Sequence, residues 1–261
     1  MAEQAGRWRF PWRIFLAELI GTGLLLLVGL SLVVVMFGTE GPGARLIASE
    51  RLRFILTGFL FGSTGGLIAI SPIGRESGAH VNPAVTLAFW LARKLEARVA
   101  LVYAAAQLTG AVLGSLPLLA WGGLGQSVLY GATVPGPGYT TGTAVAGEIA
   151  TTFALVSSLC VFIAFRPLRR FTPLMIPFLY AIMVPLEAPI SGTSTNPARS
   201  FGPAVVSGVW EGWWIYWVGP AIGTVAAMIV CSMLVKRIEV AKLYHFESDR
   251  DRLFRRMAGP S

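Results

Sequence analysis

Six long apolar segments constrain the fold of this chain more than any other feature. Each has about 20 mostly apolar residues, the length that an α-helix needs to cross a lipid bilayer. They lie near residues 14–37, 52–70, 99–121, 144–165, 172–190 and 213–235. Two shorter apolar segments, near 83–92 and 197–207, are about half that length, so we predict that they enter the membrane as re-entrant half-helices. The predicted fold class is an all-α membrane protein with six transmembrane helices and two half-helices.

The composition supports a lipid environment. Hydrophobic residues make up 54% of the chain and charged residues 13%, with a mean hydropathy of +0.66, whereas soluble domains carry about a quarter charged residues. The net charge of +8 does not indicate nucleic-acid binding, because the basic residues cluster between the apolar segments. Cys160 and Cys231 lie inside apolar segments, which is typical of buried thiols and not of a disulfide framework or a metal motif. We expect no cofactor and no metal.

The distribution of Lys and Arg predicts the orientation. Of 21 such residues, 17 lie in regions that six spans place on one side of the membrane, namely the N-terminus, 71–98, 166–171 and 236–261. The positive-inside rule therefore predicts that both termini are cytoplasmic and that the uncharged segment 122–143 is outside. The arginine-rich loops and short termini favour a plasma membrane, more specifically a bacterial inner membrane.

The sequence also contains an internal repeat. In each half, a Glu-x-x-x-Thr pattern is followed by Asn-Pro-Ala and then by a Tyr with a Gly seven residues later. The two sets are Glu18, Asn82-Pro83-Ala84, Tyr103 and Gly110, and Glu148, Asn196-Pro197-Ala198, Tyr216 and Gly223. Since three spans per half is an odd number, the halves must be inverted in the membrane, an architecture typical of transport proteins. We predict one channel domain over 1–261, with repeats at about 12–121 and 142–235 and a cytoplasmic tail at 236–261.

Each Asn-Pro-Ala triplet reads as the start of a short helix. Asn is a favoured N-cap, and Pro fits the first helical turn because it has no N–H to leave unpaired. Two half-helices that enter from opposite sides bring their N-termini, each with about half a positive charge, together in mid-membrane. That field repels cations, and the amides of Asn82 and Asn196 would donate hydrogen bonds to a pore water. Such a water would donate only outwards, which interrupts proton conduction.

On these residues the sequence resembles the aquaporins, of the major intrinsic protein family. The stretches SGAHVNPAVT and TNPARSFGPA, together with Glu18, Glu148, Gln107 and the repeat, carry the resemblance over about residues 12–235. The resemblance implies a right-handed helical bundle in the lipid bilayer, assembled as a homotetramer with one pore per subunit. It implies water or small neutral solutes as the transported species, and no nucleic acid.

The resemblance also implies an outer selectivity filter formed by Phe61, Val184, Thr193 and Arg199. Arg199 would donate to water and repel cations; the alternative is an arginine that extends to the membrane interface. Val184 stands where water-selective members usually carry His, so the filter is wider and less polar. This predicts passage of hydrogen peroxide or ammonia, while Phe61 still hinders glycerol. Thr193 replaces the cysteine of mercury-sensitive members.

Four further residues are implied to brace the re-entrant loops: Glu18, Glu148, His80 and Gln107. A proton relay is the alternative for the two glutamates, and a pH gate is the alternative for His80. Glu187 near the outer mouth either makes a local hydrogen bond or attracts cations.

The leading functional prediction is a passive water channel that excludes protons and ions. The alternative is a broader channel for small neutral solutes, with glycerol less favoured. A different class is a structural junction protein of the membrane that uses segment 122–143 for contacts. An enzyme is not expected, because no carboxylate pair, nucleophile set or metal cluster occurs outside the bracing positions.

Overall fold

The computed structural model describes residues 8–234, and the predicted tail 236–261 lies outside the described residues. Within this part of the chain the structure is helical. The α-helices are, in order, α1 (Trp12–Phe37), α2 (Pro42–Leu46), α3 (Glu50–Ile70), α4 (Pro72–Ser77), α5 (Pro83–Leu91), α6 (Ala97–Ser115), α7 (Gly122–Gln126), α8 (Thr141–Ala164), α9 (Arg166–Arg169), α10 (Thr172–Ser191), α11 (Pro197–Ser207) and α12 (Ile215–Leu234). Short 3-10 helices cover Leu116–Trp121 and Leu129–Gly131.

Six of these helices are long and apolar enough to cross a membrane, as predicted. They are α1, α3, α6, α8, α10 and α12, and the half-helices α5 and α11 begin at Pro83 and Pro197. The third predicted segment, 99–121, lies within the helical run Ala97–Gln126, in which α6 ends at Ser115 and a 3-10 helix and α7 follow. Pro117 stands in the first turn of this 3-10 helix, where a residue without an N–H is tolerated.

The spans expose one apolar face and bury another. On α1, Leu16, Ile20, Leu24 and Val28 follow one another at intervals of four residues and are 40–49% exposed. Leu26 on the opposite side is fully buried. A stripe of exposed leucine, isoleucine and valine at helical spacing fits contact with lipid hydrocarbon.

The helix pairs repeat between the two halves. Helix α1 packs against α6, and α8 packs against α12, while α3 and α10 join the halves to each other. Both pairs approach closely at a glycine. A Cβ atom on Gly110 would lie 2.9 Å from the carbonyl carbon of Leu19, and one on Gly223 would lie 2.5 Å from the carbonyl oxygen of Ile149. Leu19 and Ile149 directly follow the two repeated glutamates, so both contacts fix the glutamates at equivalent places.

Candidate functional site

Each Asn-Pro-Ala triplet caps its own half-helix. The Oδ1 atom of Asn82 accepts a hydrogen bond from the amide of Ala84 at 2.8 Å, and Oδ1 of Asn196 accepts from the amide of Ala198 at 3.0 Å. Both asparagines have extended backbone conformations, as N-cap residues do. The triplets therefore start α5 and α11 and do not interrupt longer helices.

The two asparagine amides also join the half-helices to each other. Nδ2 of Asn82 donates to the carbonyl of Thr195 at 2.9 Å, and Nδ2 of Asn196 donates to the carbonyl of Val81 at 2.9 Å. Each NH2 group has two hydrogens, and this exchange uses one. Both asparagines line a cavity of about 60 Å³ between the half-helices. The second hydrogen of each amide is thus the one that a molecule in this cavity can accept.

The carboxylate of Glu18 holds the first re-entrant loop. Its Oε1 atom accepts from the Ser77 hydroxyl at 2.6 Å and from the His80 amide at 3.0 Å. Its Oε2 atom accepts from the Val81 amide and from Nε2 of Gln107, each at 2.7 Å. Glu18 is fully buried. A buried carboxylate without partners would be costly. The four donors therefore stabilise the Glu18 carboxylate, and the same bonds hold the loop in place.

Glu148 holds the second re-entrant loop in the same way. Its oxygens accept from the Ser191 hydroxyl at 2.9 Å, the Ser194 amide at 2.7 Å and the Thr195 amide at 2.8 Å. These donors stand five, two and one residues before Asn196. The equivalent three donors to Glu18 stand at the same distances before Asn82. The internal repeat therefore extends to individual hydrogen bonds.

The backbone of both loops has the same unusual conformation. Positive φ values occur at Ala79 (53°) and Val81 (42°), and again at Thr193 (48°) and Thr195 (52°). Left-handed conformations are unfavourable for residues with a Cβ atom, above all for β-branched ones, and are found where surrounding contacts impose them. The hydrogen bonds to Glu18 and Glu148 supply such contacts at Val81 and Thr195, and the Ser77 hydroxyl supplies one at Ala79.

The four predicted filter residues lie together. Phe61, Val184, Thr193 and Arg199 all line a cavity of about 350 Å³, called the outer cavity here because the predicted orientation places it outside. Phe61 and Arg199 also line the smaller cavity that contains the two asparagines. The two cavities therefore adjoin at Phe61 and Arg199, together with Tyr180 and Ser194. The guanidinium carbon of Arg199 lies 6.0 Å from the ring centre of Phe61.

The Arg199 side chain is held by the backbone. It is 8% exposed, and its Nη1 atom donates to the carbonyl of Gly131 at 2.6 Å. A guanidinium group has five N–H donors, and this bond uses one of them. Arg199 is thus fixed beside the cavity, which favours the filter position over the membrane-interface alternative.

Comparisons with known proteins agree with this geometry. Residues 4–231 match the family model described as "Major intrinsic protein". The chain belongs to the major intrinsic protein family. A probable aquaporin PIP2-8 from Arabidopsis thaliana is 34% identical over 260 residues, covering 93% of this chain and 88% of that one. An aquaporin PIP-type from Atriplex canescens is 35% identical over 261 residues, covering 93% and 86%.

A solved structure supports the fold. The X-ray structure of the aquaglyceroporin from Plasmodium falciparum superposes with a TM-score of 0.66 at 21% identity, over 86% of this chain and 95% of that one. Membership in this family makes the chain a multi-pass membrane channel and not an enzyme.

In this major intrinsic protein His80 and Gln107 lie behind the first loop. His80 is 1% exposed, its ring stacks on Phe89 with centres 4.4 Å apart, and its Nδ1 atom lies 3.2 Å from the Thr86 hydroxyl. Nε2 of Gln107 is 3.0 Å from the same hydroxyl, in addition to its bond to Glu18. Packing on both sides and burial favour a bracing role for His80 over a pH gate.

Two parts of the channel wall were missed by the sequence analysis. Tyr180 lines both cavities and its hydroxyl lies 2.6 Å from that of Thr195. Its position one helical turn before Val184 was the available signal. Segment 122–143 was predicted to lie outside, with contacts only under the junction-protein alternative, and its Gly131–Val134 stretch lines the outer cavity. The Thr133 hydroxyl donates to that of Ser200 at 2.7 Å, which holds this stretch over half-helix α11.

Proposed function

We propose that this protein is a passive water channel whose selectivity resides in the Phe61, Val184, Thr193 and Arg199 filter and in the two asparagine amides. The observation that carries the proposal is the pair of half-helix N-termini, each capped by an asparagine that retains a hydrogen-bond donor for the central cavity. A water between Asn82 and Asn196 accepts from both amides. Its own hydrogens then point away along the pore, so no proton wire passes through it.

The filter excludes ions by charge and by size. Arg199 places a fixed cation where the two cavities adjoin, and the converging half-helix dipoles add to its field. A cation that enters loses its hydration shell and meets positive charge. A water molecule loses few hydrogen bonds, and the guanidinium and the loop carbonyls replace them. Neutral molecules of the size of water therefore pass, and ions do not.

Val184 supports a second candidate, a broader channel for hydrogen peroxide or ammonia. Its side chain lines the outer cavity without offering a hydrogen bond. An apolar wall lowers the discrimination between water and similar small neutral molecules. Phe61 on the same cavity still narrows it against glycerol.

The proposed assembly is a homotetramer in a plasma membrane with both termini in the cytoplasm. The orientation rests on the excess of Lys and Arg in the loops of one side. The bacterial inner membrane expected from the sequence rests on the arginine-rich loops and the short termini, and the relatives named above are from plants.

Stopped-flow light scattering on purified protein in liposomes tests the function. We expect fast water flux and slow glycerol entry, with the entry of peroxide ranking the second candidate. Val184→Trp fills the outer cavity and should abolish the flux. Leu186→Trp makes the same substitution on the exposed face of α10, where the side chain is 62% exposed, and should leave the flux unchanged. Water flux equal to that of protein-free vesicles would contradict the proposal and favour the structural junction protein.

A further inference from the structure

A second carboxyl group lies directly behind the filter. Glu187 stands on α10 one helical turn before Ser191, and it is only 4% exposed. It fits against α8 at Gly147, where a Cβ atom would lie 2.6 Å from Oε1 of Glu187. The glycine therefore leaves room for this carboxyl. The first repeat has no equivalent, since the matching position, nine residues before Asn82, is Ile73.

In the first repeat, the serine at the start of the loop, Ser77, makes its hydrogen bonds without such a second carboxyl. The Ser77 hydroxyl donates its one proton to Glu18 at 2.6 Å and accepts from the amide of Ala79 at 3.1 Å. The buried Ser77 hydroxyl thus uses its one proton and one acceptor position. These two bonds hold the start of the loop in place.

In the second repeat Glu187 enters this arrangement. The Ser191 hydroxyl lies 2.9 Å from Oε1 of Glu148 and is also in hydrogen-bond contact with Oε1 of Glu187. Thr193, which is equivalent to Ala79, lies within electrostatic reach of the same Glu187 carboxyl. Neither the Thr193 hydroxyl nor Oε2 of Glu187 completes a hydrogen bond of normal geometry among the described residues. Glu187 therefore stands between Ser191 and Thr193.

The number of protons available decides the ionisation state of Glu148 and Glu187. A serine hydroxyl has one hydrogen and touches two carboxyl groups here, so one of these contacts needs a proton from a carboxyl. Glu148 also accepts from two backbone amides, at 2.7 and 2.8 Å, and these bonds stabilise its ionised form. The Ser191 proton then belongs to the contact with Glu148, and the contact with Glu187 needs a proton on Glu187.

We propose that Glu187 is a neutral carboxylic acid that positions the filter segment, donating from Oε1 to Ser191 and accepting at Oε2 from Thr193. A carboxylic acid offers one donor and one acceptor, which are the two functions required at this place. A carboxylate would offer only acceptors. Thr193 is a wall residue of the outer cavity, so Glu187 acts on selectivity through Thr193 without lining the pore itself.

The neutral form also preserves the charge balance of the filter. The cationic Arg199 lies within electrostatic reach of Glu148, so an ionised Glu148 would compensate its charge. A second ionised carboxyl beside them would give the region behind the filter a net negative charge and attract cations. The inference rests on the proposed function, because it assigns to Glu187 a role in the selectivity of that same filter.

Two matched variants and an infrared measurement test the inference. Glu187→Gln keeps a neutral donor and acceptor of similar shape, and Glu187→Leu removes both. In liposomes we expect the glutamine variant to retain the water flux and proton exclusion of the wild type. The leucine variant should lose water flux several-fold or leak protons, because Ser191 and Thr193 lose their partner. Equal behaviour of the two variants would overturn the positioning role.

The infrared spectrum gives a readout that does not depend on transport. The difference between wild type and Glu187→Gln should contain the carbonyl band of a protonated carboxylic acid, shifted in heavy water. The control difference, with the exposed Glu211→Gln, should lack it. Carboxylate bands in place of the carbonyl band would show that Glu187 is ionised and overturn the inference, whether or not the leucine variant folds. If the carbonyl band is present but the protein shows no water flux, the inference that Glu187 is neutral stands. The proposed function is then refuted instead.

Discussion

Replacing Glu18 with glutamine removes one of the two oxygen atoms that hold the first re-entrant loop. In the wild type, Oε1 accepts from the Ser77 hydroxyl and the His80 amide, and Oε2 accepts from the Val81 amide and Gln107. Glutamine puts an NH2 group, which is a donor, in place of one of them. Whichever way the amide turns, it faces two donors that previously had an acceptor.

The cost follows from which of these donors can adapt. The Ser77 hydroxyl can rotate to accept, but the N–H groups of His80 and Val81 cannot, so at least one buried N–H loses its partner. That loss costs about 1–3 kcal/mol, and the surviving bonds become weaker because the acceptor is no longer charged. We expect the free energy of unfolding to fall by about 2–4 kcal/mol in total. For a chain of this size the Tm should fall by about 4–16 °C, at about 2–4 °C per kcal/mol.

Thermal unfolding followed by tryptophan fluorescence in detergent measures this change. Glu211→Gln is the control, since Glu211 is exposed and a surface change of this kind stays within about 0.5 kcal/mol. The Glu18 variant should also lose water flux at temperatures where the control is fully active. A Tm equal to that of the control would refute the reasoning, because the four donors would then not depend on the carboxylate.

Three further predictions concern the pore. Asn196→Asp keeps the helix cap but replaces the donor to the central cavity with a negative charge, so proton leakage should rise, as measured with a pH-sensitive dye in vesicles; leakage equal to the wild type would count against the amide's role. Val184→His narrows the outer cavity and adds a polar group, so peroxide entry should fall relative to water flux in the same liposomes; an unchanged ratio would remove the basis of the second candidate function. Mercuric ion should inhibit weakly, because Thr193 lines the filter while the thiols of Cys160 and Cys231 are buried in a separate apolar cluster; strong inhibition that persists in a variant without both cysteines would contradict this.

The course of the chain through the membrane was predictable because its signals are local. Apolar segments of bilayer length gave the six spans, and Asn-Pro at the start of a short apolar segment gave the half-helices, since capping and proline geometry act within one turn. The third predicted span is found as the helical run Ala97–Gln126, and only the change from an α-helix to a 3-10 helix at Leu116 was not predicted. The family assignment from the same motifs is confirmed.

The filter residues were predicted by spacing, and their functional roles remain predictions, although the structure brings them to one cavity. The Gly131 carbonyl was missed because nothing in its local sequence marks it, whereas the position of Tyr180 one helical turn before Val184 was a signal that was not used. Gly131 belongs to an uncharged outer segment, and it reaches Arg199 only because that segment folds back over α11. Glu187 was noticed but left undecided between two roles.

The sequence by itself determined which segments of this protein cross the membrane, where the half-helices start and that the two halves repeat. Only the tertiary structure decided which hydrogen-bonding groups of distant segments contact one another. Asn82 donates to a carbonyl 113 residues away, and Glu148 accepts from amides 46 and 47 residues away. Hydrophobicity and capping are properties of neighbouring residues, whereas a buried donor finds its acceptor only after the helices have packed, so these pairings are visible only in three dimensions.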